Sequence, residues 1–246
     1  MIKTVSQANV DAPTAGPGLS GEATVPVPRY LEQTYWWAYL HPRGVRFFER
    51  QWLVNLILWG NYRMLRDAAL AELESSSAGR VLQVACVYGD FTERLADRVA
   101  TGGRLDVVDV APVQLDNLRR KIGARAGVGL HHRDSANLGF PDASYEHVVV
   151  FFLLHEQPVH ARARTLAEAL RVVRPGGKVT FVDYHRPHRS NPFRYLMTPV
   201  LSLLEPFALD LWRREIVDWL PDTTRFASVA KQTYFGGLYQ KVVVVR

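Results

Sequence analysis

Asp109 and Asp134 are the residues whose placement most directly suggests chemistry. Asp109 closes the apolar run LDVVDV, and Asp134 follows the next run in VGLHHRD. If both runs are strands, each carboxylate stands at a carboxyl end, where an α/β sheet binds its ligands. There Asp109 can accept hydrogen bonds from both hydroxyls of a ribose, and Asp134 from an adenine amino group. One such aspartate is ordinarily a helix cap or a solvated loop acid; two after successive strands point to a nucleoside. A second set suits a hard divalent ion, which takes carboxylate and imidazole ligands. His155 and Glu156 follow HVVVFFLL, and Asp183 and His185 end and follow the run KVTFVDY. These four are expected on one rim, with His131, His132 and Asp134 as the second choice. A lone histidine is more often a hydrogen-bonded core or surface residue, so the clustering carries the argument. A metal there would act as a Lewis acid on a carbonyl oxygen.

The elements that must position these groups alternate in type. VLQVACV reads as a strand and DFTERLADRVA as a helix, with Asp90 and Glu93 spaced as a capping box. LDVVDV and VQLDNLRRKI repeat the pattern, and VGLHH is a third strand. HVVVFFLL is apolar throughout, as a strand covered on both faces must be. VHARARTLAEALRVV is a helix whose arginines are expected on the wet side, and RPGGKVTFVDY is a turn and a fifth strand. TRFASVAKQTYF and LYQKVVVV flank Gly236-Gly237, a hairpin signal. Strands alternating with helices predict an α/β fold, a parallel doubly wound sheet closed by an antiparallel hairpin. Residues 1–28 read as a flexible tail and 29–75 as an aromatic helical segment broken at His41-Pro42. Residues 76–246 read as the nucleoside-binding domain. Within it, 184–222 is too long for a connector and reads as an inserted helical cap.

The chain has 246 residues, 48% hydrophobic and 22% charged, ordinary for one or two globular domains. Its single cysteine, Cys86, excludes a disulfide framework. No run of about 18 uncharged apolar residues predicts a membrane span. The N-terminus lacks a secretory pattern, so a cytoplasmic location is expected. The net charge of +6 favours an anionic partner. Residues 45–65 and 184–222 mix Trp, Phe and Leu with Arg, which suits a lipid interface better than nucleic acid. Nucleic acid is not expected as a partner, because FFLLHE stands where an amine-methylating Asn-Pro-Pro-Tyr type motif would stand.

The first motif, VLQVACVYGD, keeps only Gly89 and lacks G-x-G-x-x-G, which removes a nicotinamide reading. With LDVVDVAPVQL, DSANLGFPDASYEHVVVFFLLHE and LRVVRPGGKVTFVD it resembles the class I S-adenosylmethionine-dependent methyltransferases over about residues 80–183. The departures are Gln83, where an acid usually reaches the methionine amino group, and Ala85 and Val87 in place of glycines. With the aromatic N-terminal segment and the insert, they resemble one branch, the rhodoquinone-biosynthesis methyltransferase-like family. That resemblance implies replacement of a ring methoxy group of ubiquinone by an amino group. S-adenosylmethionine would be the amino donor and Mn²⁺ would be required, at the inner face of the cytoplasmic membrane as a peripheral protein. It implies a donor site of Gln83, Ala85, Cys86, Val87, Gly89, Asp109, Val110, Asp134, Ser135 and Phe151. Tyr88, Gln83, His155 and Glu156 would be catalytic, and Glu156, His155, Asp183 and His185 would hold the metal. Glutamine at 83 adds no charge attraction to an ammonium, so the donor amine is less held in its unreactive protonated form. The alternatives are a conventional methyltransferase on a lipid or small molecule, and a non-catalytic S-adenosylmethionine-binding protein.

Overall fold

A computed structural model describes residues 25–73, 79–99, 102–221 and 226–246. The tail expected at 1–28 lies, up to residue 24, outside the described residues, as does the expected 75/76 boundary. The strands are β1 (Arg80–Val84), β2 (Arg104–Asp109), β3 (Val128–His132), β4 (Tyr145–Phe151), β5 (Val173–Tyr184), β6 (Ser228–Tyr234) and β7 (Tyr239–Val245). They form one sheet in the order β3-β2-β1-β4-β5-β7-β6. β1 to β5 run parallel, and the hairpin β6–β7 adds antiparallel strands at the edge beside β5. This is the expected Rossmann-like class I methyltransferase architecture. The order reverses between β1 and β4, and the crevice beyond their carboxyl ends is where such sheets bind ligands.

Alternation along the strands divides the core between two faces. Val81, Val107, Val149 and Phe151 face α3 (Tyr62–Leu70) and α4 (Phe91–Arg98) through Tyr62, Leu65 and Leu95. Leu82, Val84, Val108, Val148 and Val150 face α6 (Val159–Val172) through Leu166, Ala169 and Leu170. α5 (Pro112–Ile122) follows β2 with proline in its first turn, where a missing N–H costs nothing.

The aromatic segment is helical on both sides of His41. Leu31–Leu40 is a π-helix whose last bond runs from His41 N–H to Trp36 O; α1 (Pro42–Phe48) and α2 (Gln51–Ile57) follow. The insert carries α7 (Phe193–Leu204), α8 (Ala208–Arg213) and a 3₁₀ turn, Ile216–Trp219. The two segments pack on each other. Trp59 lies edge-on to Phe193 at 4.7 Å and donates to Met197 Sδ at 3.1 Å, and Tyr35 packs on Phe207.

Two local expectations are corrected. Asp90 does not cap α4 with its side chain; it accepts from Arg66 at 2.7 Å and from Tyr62 at 3.2 Å. Arg162 is not on the wet side of α6 but fully buried. Its Nε donates to Leu154 O, and its Nη2 to Gln157 O and Phe207 O, each at 2.8 Å.

Candidate active site

The loop after β1 is shaped by an unusual backbone. Ala85 adopts φ 72°, a left-handed conformation that glycine enters freely and alanine does not. Its N–H donates to Val108 O at 2.9 Å. Gln83 lies beneath, wholly buried, its Nε2 donating to Ala85 O at 2.9 Å while its Oε1 has no partner. Gly89 follows at φ +82°, where a Cβ would stand 2.7 Å from the Tyr62 hydroxyl.

Residues 29–75 tie this loop down. Tyr88 donates to Ala38 O at 2.6 Å, accepts from Gln114 Nε2 at 2.8 Å, and stacks on Tyr39 with ring centroids 5.7 Å apart. Gly89 N–H donates to Glu49 Oε1, which also pairs with Lys121. Tyr88, expected to be catalytic, lines the aromatic cavity described below, with its hydroxyl proton committed to Ala38 O and its oxygen accepting from Gln114.

Two cavities open at the carboxyl ends of the strands. The first, about 570 Å³, is lined by Ala85, Cys86, Val108, Asp109, Val110, Ala111, Gln114, Arg133, Ser135 and Leu153, under Tyr30, Leu31 and Tyr39 of the N-terminal segment. Asp109 accepts from Cys86 N–H at 2.7 Å on one oxygen and from Ala111 N–H at 2.8 Å on the other. Each oxygen keeps a free lone pair for a ligand hydroxyl. Burial lifts the Asp109 carboxyl to about 6, against these lowering hydrogen bonds. Asp134 does not line the cavity; its Oδ1 accepts from Ala136 N–H at 2.8 Å in the turn that presents Ser135. Ser135 is held by Gln157 at 2.9 Å and Thr165 at 3.0 Å. The Asp109 carboxylate suits a nucleoside; Gln83, expected on the donor, is wholly buried and lines neither cavity.

The second cavity, about 780 Å³ with its open mouth, is mostly apolar: Trp37, Tyr39, Phe48, Val54, Ile57, Leu58, Val87, Phe151 and Phe152 surround it. Val87 and Phe151, expected on the donor, lie here, Phe151 stacked on Phe91 at 4.3 Å. Its polar end holds His155, Glu156, Tyr184 and Glu205. Tyr39, Cys86, Phe152 and Glu156 line both cavities. His155 Nδ1 lies 2.9 Å from Asp183 Oδ1. Burial pulls the His155 imidazole down, but the carboxylates of Asp183 and, behind it, Glu205 and Glu156 together outweigh it and lift it to about 9. Burial also raises Glu156 well above the carboxylate range, against the lowering pull of His155, and nearby Glu205 raises it further. Cys86 is pushed up by burial and is no nucleophile at neutral pH.

The expected metal set does not converge. His185 Nδ1 meets Gly237 O at 2.7 Å, and its Nε2 meets Glu215 at 3.2 Å. Asp183 accepts from the Leu154 and Tyr184 N–H groups at 2.8 and 2.7 Å. His131 is held by Asp106 at 2.8 Å and His132 by Val110 O at 3.0 Å, so the second choice is dispersed too. Among the described residues no group of three or more His, Cys, Asp or Glu is arranged to hold a metal ion. The four named residues do not fit Mn²⁺, and no step is drawn through it. Sequence reasoning also passed over Tyr39, Gln114, Arg162 and Glu205. An acid between two apolar stretches of PFRYLMTPVLSLLEPFALDLW was the available signal for Glu205.

Fold and site together define a class: the chain has the Rossmann-like fold of the class I S-adenosylmethionine-dependent methyltransferases. Residues 81–177 match the family model described as a methyltransferase domain. The chain is 26% identical over 194 residues to the demethylmenaquinone methyltransferase of Staphylococcus epidermidis, covering 76% of this chain and 77% of that protein. Its fold is similar to phosphoethanolamine N-methyltransferase 2 of Haemonchus contortus, solved with S-adenosyl-L-methionine (TM-score 0.62, 14% identity, 89% of this chain and 59% of that one). It is also similar to a SAM-dependent methyltransferase of Aquifex aeolicus (TM-score 0.52, 17% identity, 83% of this chain and 98% of that one).

Proposed function

We propose that the chain transfers a group from S-adenosylmethionine to a quinone-type aromatic acceptor, and that the group is methyl. The carrying observation is the junction of the two cavities at Cys86, Phe152 and Glu156, which sets a nucleoside site against an aromatic one. The demethylmenaquinone methyltransferase relatives favour a quinone ring and methyl transfer. When bound, S-adenosylmethionine supplies an electrophilic methyl group. Asp109 would accept from its ribose, and Tyr39 would separate the donor from the acceptor's mouth. Glu156 would take the proton of a ring hydroxyl, making the ring carbon electron-rich enough to attack. The carbon would gain the methyl as the donor's sulfur–methyl bond breaks, its electron pair staying on sulfur to leave S-adenosylhomocysteine; the ring carbon's hydrogen then leaves as a proton to water and the ring regains aromaticity.

A second reading, amino-for-methoxy exchange on ubiquinone, is favoured by one feature. No carboxylate stands at position 83, and the Gln83 carbonyl oxygen is buried without a partner. An amine that no carboxylate holds as ammonium is a nucleophile. One experiment separates the two. Incubate the protein with S-adenosylmethionine and either a demethylated menaquinol or ubiquinone, with and without Mn²⁺, and analyse the products by mass spectrometry. Methyl gain is expected; amino-for-methoxy exchange selects the second reading. Intact acceptors in every tube would leave a donor-binding protein and sink both.

Donor binding carries its own pH signature. The ribose contact needs the Asp109 carboxylate, whose protonation point is near 6 in the free protein. Affinity for S-adenosylhomocysteine should therefore be about tenfold weaker at pH 5 than at pH 7, one unit's worth of proton competition. Asp109→Asn should flatten that slope in calorimetric titration; an equally steep slope in the variant removes Asp109 from the ribose. In the ligand-free protein the same raised value works in the opposite sense. Its stabilising contribution is present at low pH and is lost as pH rises through about 6.

A long-tailed quinone must be drawn from lipid, and the surface suits that. Trp52, Leu56, Tyr195 and Leu203 are exposed, the last at 81%, and Trp37 and Ile57 are both exposed and part of the acceptor cavity. No helix among the described residues is long and apolar enough to cross a membrane. Surface docking on an anionic bilayer through the aromatic segment and the insert is the proposed mode. Flotation with phosphatidylglycerol vesicles should capture the protein at low salt. Trp52→Glu with Leu203→Glu should release it, and unchanged capture would place the contact elsewhere.

A further inference from the structure

We infer that Glu205, at the end of α7, is a second carboxyl of the acceptor cavity and holds one proton jointly with Glu156. The pair would then present one hydrogen-bond donor and one acceptor to the substrate. Both residues line the same cavity, and Glu205 Oε2 is buried without a hydrogen-bond partner. The charges around them do not balance two carboxylates. From β5, Asp183 takes the positive charge of His155, which precedes Glu156 on the Leu154–Glu156 3₁₀ turn. Arg162, on α6, gives Nε and Nη2 to three neutral backbone carbonyls and leaves Nη1 without a partner, so one positive charge remains for Glu156 and Glu205 together. The π-helix and β5 otherwise offer only phenols, those of Tyr35, Tyr39 and Tyr184.

Two like charges in a dry cavity cannot both ionise cheaply, so one carboxyl keeps its proton. Burial lifts Glu205 and opposes the lowering influence of His155 and Tyr35, while Asp183 lifts it further. A shared proton fits a ring bearing both a hydroxyl and a carbonyl or ether oxygen. It also ties the insert to the chemistry, since Glu205 belongs to residues 184–222.

This inference rests on the cavity being the acceptor site, but the proton can be observed without any acceptor. With ¹³C-labelled glutamate, the infrared spectrum at pH 7 should show a protonated-carboxyl band that shifts with the label. Asp109 does not carry the label. Glu205→Gln and Glu156→Gln should each weaken the band at pH 7 and move its loss about one pH unit lower, because the remaining carboxyl, though still buried, no longer has a like charge beside it. No band in the wild type, or a band that keeps its strength and pH dependence in both variants, overturns the proposal. In kinetics, Glu205→Gln should move the acid limb of the kcat/KM profile about one pH unit lower, because Glu156 then ionises more easily. Its affinity for S-adenosylhomocysteine should stay within about twofold. An unmoved limb overturns the pairing even if the rate falls. A band without any transfer to a quinone leaves the shared proton standing and sinks the acceptor reading instead.

Discussion

Glu156→Gln is expected to lower turnover by about 10²–10⁴-fold, the usual worth of a positioned general base, while changing donor affinity far less. Glu156 borders both cavities, so in the proposed reaction it would stand where a proton leaves as the donor's group arrives. Glutamine keeps the size and one hydrogen-bonding oxygen but cannot take up a proton. In the wild type the rate should climb with pH through the raised Glu156 value and not through the usual carboxylate range, since burial favours its neutral form. Single-turnover kinetics with saturating donor measure the loss directly. If Glu156→Gln keeps more than about a tenth of wild-type turnover, the proton leaves by another route, and His155 is the next group to replace.

Arg162→Met should cost about 3–5 kcal/mol of stability and roughly 10 °C or more in Tm for a chain of this size. The guanidinium gathers three carbonyl oxygens from places far apart in sequence: Leu154 and Gln157 beside the Glu156 turn, and Phe207 in the insert. Methionine fills much of the space but leaves those oxygens facing apolar surroundings. Lysine should rescue little, because one ammonium cannot reproduce the planar fork. Trp219 also packs on the guanidinium, 5.1 Å from ring centroid to Cζ, so the loss includes that face. Thermal unfolding followed by circular dichroism is the check. A Tm within about 3 °C of wild type would mean that water or a local shift satisfies the carbonyls.

The parts of the fold that could be read in advance are those written in local periodicity. Strands of four to seven apolar residues, helices between them and the Gly236-Gly237 hairpin placed the parallel sheet and its antiparallel closing edge; the strand order was not written there. Asp109 was legible because it needs only the end of one strand. Arg162 was legible too, had spacing been weighed above charge: it lies three, four and seven residues before Thr165, Leu166 and Ala169, all inward-facing. The metal rim failed for a long-range reason. His185 follows β5 as expected, yet Gly237 and Glu215, from 52 and 30 residues away, take both its nitrogens. The Tyr88 hydroxyl is committed in the same way, through Ala38 and Gln114. Nothing in the local sequence says which carbonyl will meet a hydroxyl 50 residues later.

The unequal origin of the two cavities bears on how such a protein changes over evolutionary time. Apart from Tyr30, Leu31 and Tyr39, the nucleoside cavity is drawn from within 81–177, the segment matched by the methyltransferase-domain model. The aromatic cavity draws Trp37, Phe48, Val54, Ile57, Leu58, Tyr62, Tyr184 and Glu205 from outside it. On the proposed function, mutational drift in the flanking segments would recast which ring is accepted and leave the donor site as it is. Swapping the flanks between relatives is the matching engineering route to a new acceptor.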